Sequence, residues 1–478
     1  MNSMFYKKPA KQIFFDRNQS QFVSIDELVP QDHLVRYVEA AIDFHFIYHH
    51  TQPLYDETLG RPCLDPVILF KIMLLNFLYG KNSVRATLEE TKVNMAYRWF
   101  LGLGVHDEVP HYSTFSQNYI RRFRGTKVFE HIFASVLNRI IEHKLIDSSL
   151  LFVDGTHVKA SANKHKRKKM IVKATTDIYK DAIEQEVNQY REDIGRNPFD
   201  YNDDDDTPEV QDEETGEIIS KKKSTEQTKS ITDKDAGMYV KGEKERQFAY
   251  VDQVACDKYG WIVAHQTNPG NIHDAKAFLP FYNEVVSFVK PSVICADSAY
   301  VTPKILHRLS LDNVTLIGPY QRPKGKKTSS LHKSDFTYQL EIDAYLCPNQ
   351  KWLKPYNITR DGQVEYKIYK YECADCPMKD RCIKQATHKT VQRHLYEDLL
   401  LKAKQDRLSK EGKEWYKQRK HTIERIFAQG KEQHGLRHTR VRGLQKNRDY
   451  RSLLYACMNL KKLALLFKRR EESSCYSY

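Results

Sequence analysis

No stretch of this sequence stays apolar long enough to cross a membrane. The longest such run, PVILFKIMLLNFLYG, falls short of the roughly 20 residues a span needs and carries Lys71 inside it, so it reads as a core helix. Cysteine is scarce, nine in 478 residues, odd in number and without a regular framework. That excludes a disulfide-stapled secreted module and predicts reduced thiols. Glycine (19) and proline (17) are too few for a collagen-like or low-complexity chain. The polar start, with no apolar core ahead of a cleavage site, predicts no export and a cytoplasmic protein.

What the sequence does have is charge and aromatic bulk. Hydrophobic residues at 40% and aromatics at 12% exceed what a disordered chain carries. The length suggests about three domains. The net charge is +14, yet Asp177 to Glu217 holds sixteen acids against Lys180, Arg191 and Arg196, a net of −13, so the rest carries +27. Such a surplus matches a phosphate polyanion through counterion release, which makes nucleic acid the expected partner; a solvated basic surface is the plainer alternative.

Residues 1–146 read as helices. Asp65 before Pro66 is an N-cap with proline at the first helical position, and Gly80 supplies the stop. Ser83 caps a second helix, and AYRWFLGL ends a third at Gly102. A fourth, starting near Ser113, places Gln117, Arg121 and Arg124 at i, i+4 and i+7, three donors on one face that suit a DNA groove or solvent. KVFEHIFASVLNRIIEHKL is a further amphipathic helix.

From LLFVDGTHV the period becomes that of strands, and the order that follows is β, insertion, β, β, α, β, α, β. FAYVDQVAC and WIVAHQT form a hairpin, HDAKAFLPFYNEVVSFV a helix, SVICADSAY a buried strand, Pro303–Leu309 a short helix and VTLIGPY the last strand. The acidic stretch with Asp203 to Asp206 predicts a loop, frayed helix or linker. The expected fold class is α+β. A helical DNA-binding domain spans 1–146 and a mixed-sheet core spans 147–176 and 231–320, with an acidic insertion at 177–230. A Cys-rich insertion at 321–410 and a helix with a basic tail at 411–470 complete the chain.

Asp154 follows LLFV and Asp297 follows SVICA. Ligands gather at the carboxyl ends of strands in sheets flanked by helices, so two acids there can converge, and clustered carboxylates take magnesium or manganese. A turn at Asp154–Gly155 and a helix cap at Asp297 are the alternatives. The third acid is Glu424, on a helix read from Glu411 to Gly435 that sets Lys417, Lys420 and Lys431 at i−7, i−4 and i+7. Lys before Glu is the weaker orientation for an ion pair, which favours an acid facing a metal while lysines face phosphates. Residues 413–470 hold seventeen Lys or Arg against four acids, and Arg437, Arg440 and Arg442 extend this basic face toward DNA.

Other residues carry plainer expectations. His157, His273 and Asp274 could join a metal, but NPGNIHDA reads as a loop capping the next helix. Asp233 and Asp235 are assigned at most a positioning role. Cys347, Cys373, Cys376 and Cys382, with His388 and His394 nearby, have spacings that let thiolates converge on a structural zinc ion, with free thiols as the alternative.

Taken together, these motifs resemble bacterial insertion-sequence transposases of the DDE type with a ribonuclease-H-like core, most closely the insertion-sequence family numbered eleven eighty-two. The likeness runs through LDPVILFKIMLLNFLYGKNSVRATLEE, VPHYSTFSQNYIRRF, VDGTHVKASANK, TDKDAGMYVKG, QTNPGNIHDAKAF, ADSAYVTP, TIERIFAQGKEQHGLRHTRVRGLQK and ACMNLKKLA, in that order. It implies a catalytic, metal-binding triad of Asp154, Asp297 and Glu424 with Mg2+ or Mn2+, performing two-metal phosphoryl transfer on double-stranded DNA. Terminal inverted repeats and target DNA are the implied partners, bound by a homodimer in the synaptic complex. Tyr416 and Arg419 sit one place earlier than the family's Tyr and Arg, with Lys420 at the Arg position. A DNA-binding regulator without chemistry, and a nuclease without strand transfer, share these features and remain open.

Overall fold

The computed structural model describes residues 22–475 apart from 57–62, 82, 174–177, 201–208, 222–223, 242–244, 320–330, 384–385 and 387. Asp203 to Asp206 therefore lie outside the described residues. Among the described residues no helix is long and apolar enough to cross a membrane.

The helical opening follows from its punctuation. Asp65 accepts from the Val67 amide at 2.7 Å and starts helix Pro66–Leu78, which Gly80 stops at φ 59°. Gly80 is also a contact: a Cβ there would lie 2.5 Å from the Gln433 carbonyl oxygen, so only glycine lets the chain pass this close to the helix carrying Glu424. Lys71, the charge within the apolar run, reaches Glu39 at 2.7 Å and lies over the Phe44 and Phe100 rings. Ser83 and Asn94 cap helices Val84–Thr91 and Met95–Leu101, the latter closed by Gly102 at φ 71°.

The fourth helix departs from its expected form. It is α-helical over Ser113–Asn118 and then widens into a π turn over Tyr119–Phe123, with Arg124 extended beyond it. Phe115, Tyr119 and Phe123, spaced by four, all bury on one face, which the wider i→i+5 turn accommodates. Gln117, Arg121 and Arg124 are all exposed, but Arg124 is not on the helix and the i, i+4, i+7 stripe is broken.

The strands are β1 (Leu150–Lys159), β2 (Arg167–Lys173), β3 (Glu209–Gln211), β4 (Ile218–Ser220), β5 (Ser224–Ser230), β6 (Gly237–Lys241), β7 (Glu245–Asp257), β8 (Ile262–Pro269), β9 (Val293–Cys295) and β10 (Thr315–Ile317). The main sheet runs β10-β9-β1-β7, and β6 and β8 pair successive halves of β7. β9 and β10 are parallel to β1, while β7 is antiparallel to it. The expected strand order is thus met, and the β7–β8 turn has Gly260 at φ 80°. A second sheet, β11 (Thr337–Gln339), β12 (Ala344–Leu346), β13 (Trp352–Ile358), β14 (Gln363–Lys367) and β15 (Thr390–His394), is antiparallel throughout.

The acidic stretch is more ordered than its composition predicts. Ile178–Asp193 is a helix, and its Ile183 and Val187 bury against Leu353, Ile358 and Tyr366 of the second sheet. Two apolar residues one turn apart suffice to dock a helix whose other faces are acidic.

The last helix, Leu444–Cys475, joins the opening helices to the sheet in one continuous core that includes Val35, Phe70, Leu137, Phe152, Val263, Leu453 and Leu460. Asn459 bonds both backbone groups of Ile262, as a neighbouring strand would. Asp233 and Asp235 accept from the Gly443 and Leu444 amides and so cap this helix.

Where the same helix meets the fourth, buried Asp449 accepts from the Tyr119 hydroxyl at 2.6 Å and from Gln445 at 2.9 Å. Burial pushes its carboxyl up to about 6. A folded-state value above the unfolded one favours the fold fully at low pH, and that favour is lost as pH rises through about 6. Asp449→Asn is therefore expected to raise Tm relative to the parent at about pH 7.5, with the gain vanishing by about pH 4. Melts across that range check this; a pH-independent difference would contradict it.

Candidate active site

The two aspartates meet by register. Phe152 of β1 stands beside Cys295 of β9 in the parallel pair, and Asp154 and Asp297 each follow two residues later. Asp297 lies just past the end of β9, beside the part of β1 that carries Asp154, and its charge adds to the rise in the Asp154 pKa. β1 does not stop at Asp154 but continues paired to β7, with Asp154 opposite Val254, so no turn forms at Asp154–Gly155. Asp297 also caps the short turn behind it, accepting from the Ser298 amide at 2.6 Å.

Glu424 arrives from elsewhere, and its helix differs from the expected one. Instead of one helix from Glu411 onward there are Lys410–Gln418, a 3-10 turn at Arg419–His421, a break at Thr422 (φ −112°, ψ −88°) and a helix over Ile423–Gln433. Thr422 turns its hydroxyl back onto the Gln418 carbonyl at 2.9 Å, which competes with helix continuation. Lys417 and Lys420 therefore do not share a helix face with Glu424; Lys431 does lie on its helix. Lys417, Lys420, Arg437, Arg440 and Arg442 are exposed, and Lys431 is half-buried. Arg437 pairs with Glu432, and Arg442 donates to the Ser161 carbonyl.

The break aims Arg419 at the acids. Its guanidinium, 8% exposed, lies 2.7 Å from Asp154 and 3.8 Å from Glu424, bridging acids 270 positions apart in the sequence. Lys420, the next residue, faces solvent. Tyr416 lies at the same site, its pKa raised by burial and then lowered by Arg419 and raised by Asp297.

A fourth acid joins them. Asp274 begins helix Asp274–Phe288, with His273 as the cap the sequence predicted. The Asp274 carboxylate sits so close to β1 that a Cβ on Gly155 would lie 2.9 Å from it. Asp154 is pushed up to about 6, by burial first, with Arg419 opposing and Asp297 and Asp274 adding to the rise. Burial also raises Asp274, with Asp297 adding. No spacing signal marks Asp274, since its approach depends on how the helix crosses onto β1. His157 is held otherwise, stacked on Tyr239 with ring centroids 3.6 Å apart.

Clustered hard carboxylates form a donor set that magnesium or manganese takes. Among the described residues no group of three or more His, Cys, Asp or Glu closes into a metal cage, and the positive charge among the acids is that of Arg419. Chemically the residues suit a divalent ion, with Arg419 as the counter-ion they use without it.

Residues 23–121 match a family described as Transposase domain (DUF772), and residues 346–464 match one described as Transposase DDE domain, which includes Glu424. No curated protein matches the chain. Both matched families are transposase domains, and together they support an insertion-sequence transposase of the DDE type.

Proposed function

We propose that this transposase binds the terminal inverted repeats of an insertion sequence and carries out metal-dependent cleavage and strand transfer, with Asp154, Asp297 and Glu424 as its catalytic, metal-holding acids. The observation that carries the reading is the guanidinium of Arg419 between Asp154 and Glu424, with Asp297 just past the end of the strand that pairs with β1. A ribonuclease-H-like core at 147–176 and 231–320 is supported by the order β10-β9-β1-β7-β8, with its two outer strands parallel to β1. On this reading 1–146 and 411–470 bind DNA, and 177–230 and 321–410 are inserts.

Transposases of the DDE type generally use a divalent metal such as Mg2+. Bound by Asp154, Asp297 and Glu424, it would supply Lewis-acid stabilisation of the attacking and leaving oxygens of an in-line displacement. Asp274 crowds Asp154 and keeps the cluster negative. Gln117, Arg121, Arg124, Lys417, Lys420, Lys431, Arg437, Arg440 and Arg442 offer the donors that phosphates need. The test incubates labelled element ends with protein and Mg2+ and maps the products. Cut ends joined to target DNA are expected; cutting without joining leaves a nuclease, and binding without cutting leaves a regulator.

Arg419 predicts its own result. Arg419→Met removes the cation from a crowded carboxylate cluster, so the metal-free variant should melt lower than the parent, and Mg2+ should raise its Tm by more than it raises the parent's. Equal responses to Mg2+ in thermal melts would rule out a shared position for guanidinium and metal.

A further inference from the structure

The cysteines lie far from the acids along the chain, on the second sheet. Cys347 follows β12; Cys373, Cys376 and Cys382 lie in the connection from β14 to β15. All four are free thiols, and all four line one cavity of about 20 Å3. That is room for a body of about one water molecule or ion.

The surroundings of this cavity suit thiolates. Lys351 donates its amide to Cys347 Sγ at 3.3 Å, in a tight loop where the Cys347 amide bonds the Lys351 carbonyl and Gln350 takes φ 56°. Asn349 reaches Cys376 Sγ at 3.5 Å through its side-chain amide. Lys351, Lys379 and Lys389 line the same cavity with Glu372, three cations and one acid beside four potential thiolates, and Phe336, Leu353, Ile368 and Ile383 form its apolar wall. Outer donors to sulfur, compensating cations and a dry wall are what a sulfur-ligated metal requires.

We propose that Cys347, Cys373, Cys376 and Cys382 bind one structural zinc ion, which ties the β14–β15 connection to the β12–β13 hairpin. The four sulfurs share a cavity without closing into a cage, so the ion would pull neighbouring side chains the last step together. A closed four-thiolate shell keeps no open position for a substrate, which makes the site structural. Its small core, built around Leu353, Val364 and Tyr366, is the kind that gains from such a staple.

Elemental analysis of the full chain, purified under reducing conditions without chelator and offered Zn2+, tests this. One zinc per chain is expected, falling to a trace in Cys376→Ser/Cys382→Ser and staying whole in Cys63→Ser. Should the double variant fail to fold, mercurial titration of the unmutated chain gives the same information, because zinc should leave as these four thiols react. Cobalt in place of zinc should give the thiolate charge-transfer bands of a tetrahedral centre. Zinc far below stoichiometry, zinc retained by the double variant, iron in its place, or a disulfide between any two of the four would overturn the assignment.

Discussion

Asp154→Asn protein is expected to bind element ends and leave them uncut. The substitution keeps the shape of the side chain and removes the charge that a divalent ion needs, and transition-state stabilisation worth several kcal/mol amounts to a rate loss on the order of a thousandfold or more. Asp297→Asn and Glu424→Gln should act alike. The fold gives the test its discrimination. Asp154 is pushed up to about 6 by burial, with Asp297 and Asp274 adding to the rise, so an uncharged residue there relieves crowding. Tm should hold or increase while cleavage disappears, and gel-shift affinity should remain. A variant that cuts at the parent's rate would remove its residue from the triad; one that loses both cleavage and fold would say nothing of chemistry and requires the neighbouring acid to be tested instead.

The parts of this site that the sequence disclosed are those written in local chemistry. Asp65, Pro66 and Gly80 announced a helix because caps and stops act within a turn, and Asp154 and Asp297 stood out because each ends an apolar run. That Asp297, two residues past the end of β9, comes beside Asp154 inside β1 depends on strand pairing, which no local signal carries. The break at Thr422 was hidden because Arg, Lys, His and Thr are all tolerated in helices, and it takes the Thr422 bond to the Gln418 carbonyl together with the Arg419 contact to Asp154 to explain the turn. Asp274, which the sequence offers as a possible metal ligand beside His273 but ties to no partner, and the helix Ile178–Asp193 are each placed by a tertiary contact, and a surplus of acid obscures the short apolar spacing of Ile183 and Val187.

The buried charges under the site lead to the largest expected effect on stability. Asp252 lies on β7 opposite Thr156, two positions from the pairing of Asp154 with Val254. Its side chain is fully buried, and Arg451 of the last helix, 4% exposed, approaches it at 2.8 Å. Thr267 and Tyr455 donate to the same carboxylate at 2.9 and 3.0 Å. The Arg451 approach is a charge contact without hydrogen-bond alignment, since its Nε and Nη2 find no acceptor in line. Next to it His265 is held down to about 3, by burial and then by Arg451, so it is neutral and adds no second cation beside the guanidinium. Asp252→Ala should leave Arg451 buried and unpaired, at a cost of about 3–5 kcal/mol. Arg451→Met should cost a comparable amount, while Asp252→Leu/Arg451→Met should cost much less than the two single changes together, because no charge is left stranded. Denaturant or thermal melts of the four proteins measure the coupling. Single variants within about 0.5 kcal/mol of the parent, the range of surface substitutions, would mean that water reaches this pair and that the last helix is not anchored to β7 by charge. If the coupling is found, cleavage should fall in both single variants and recover in the double one, since Asp252 anchors β7, the strand paired with the one bearing Asp154, to the last helix.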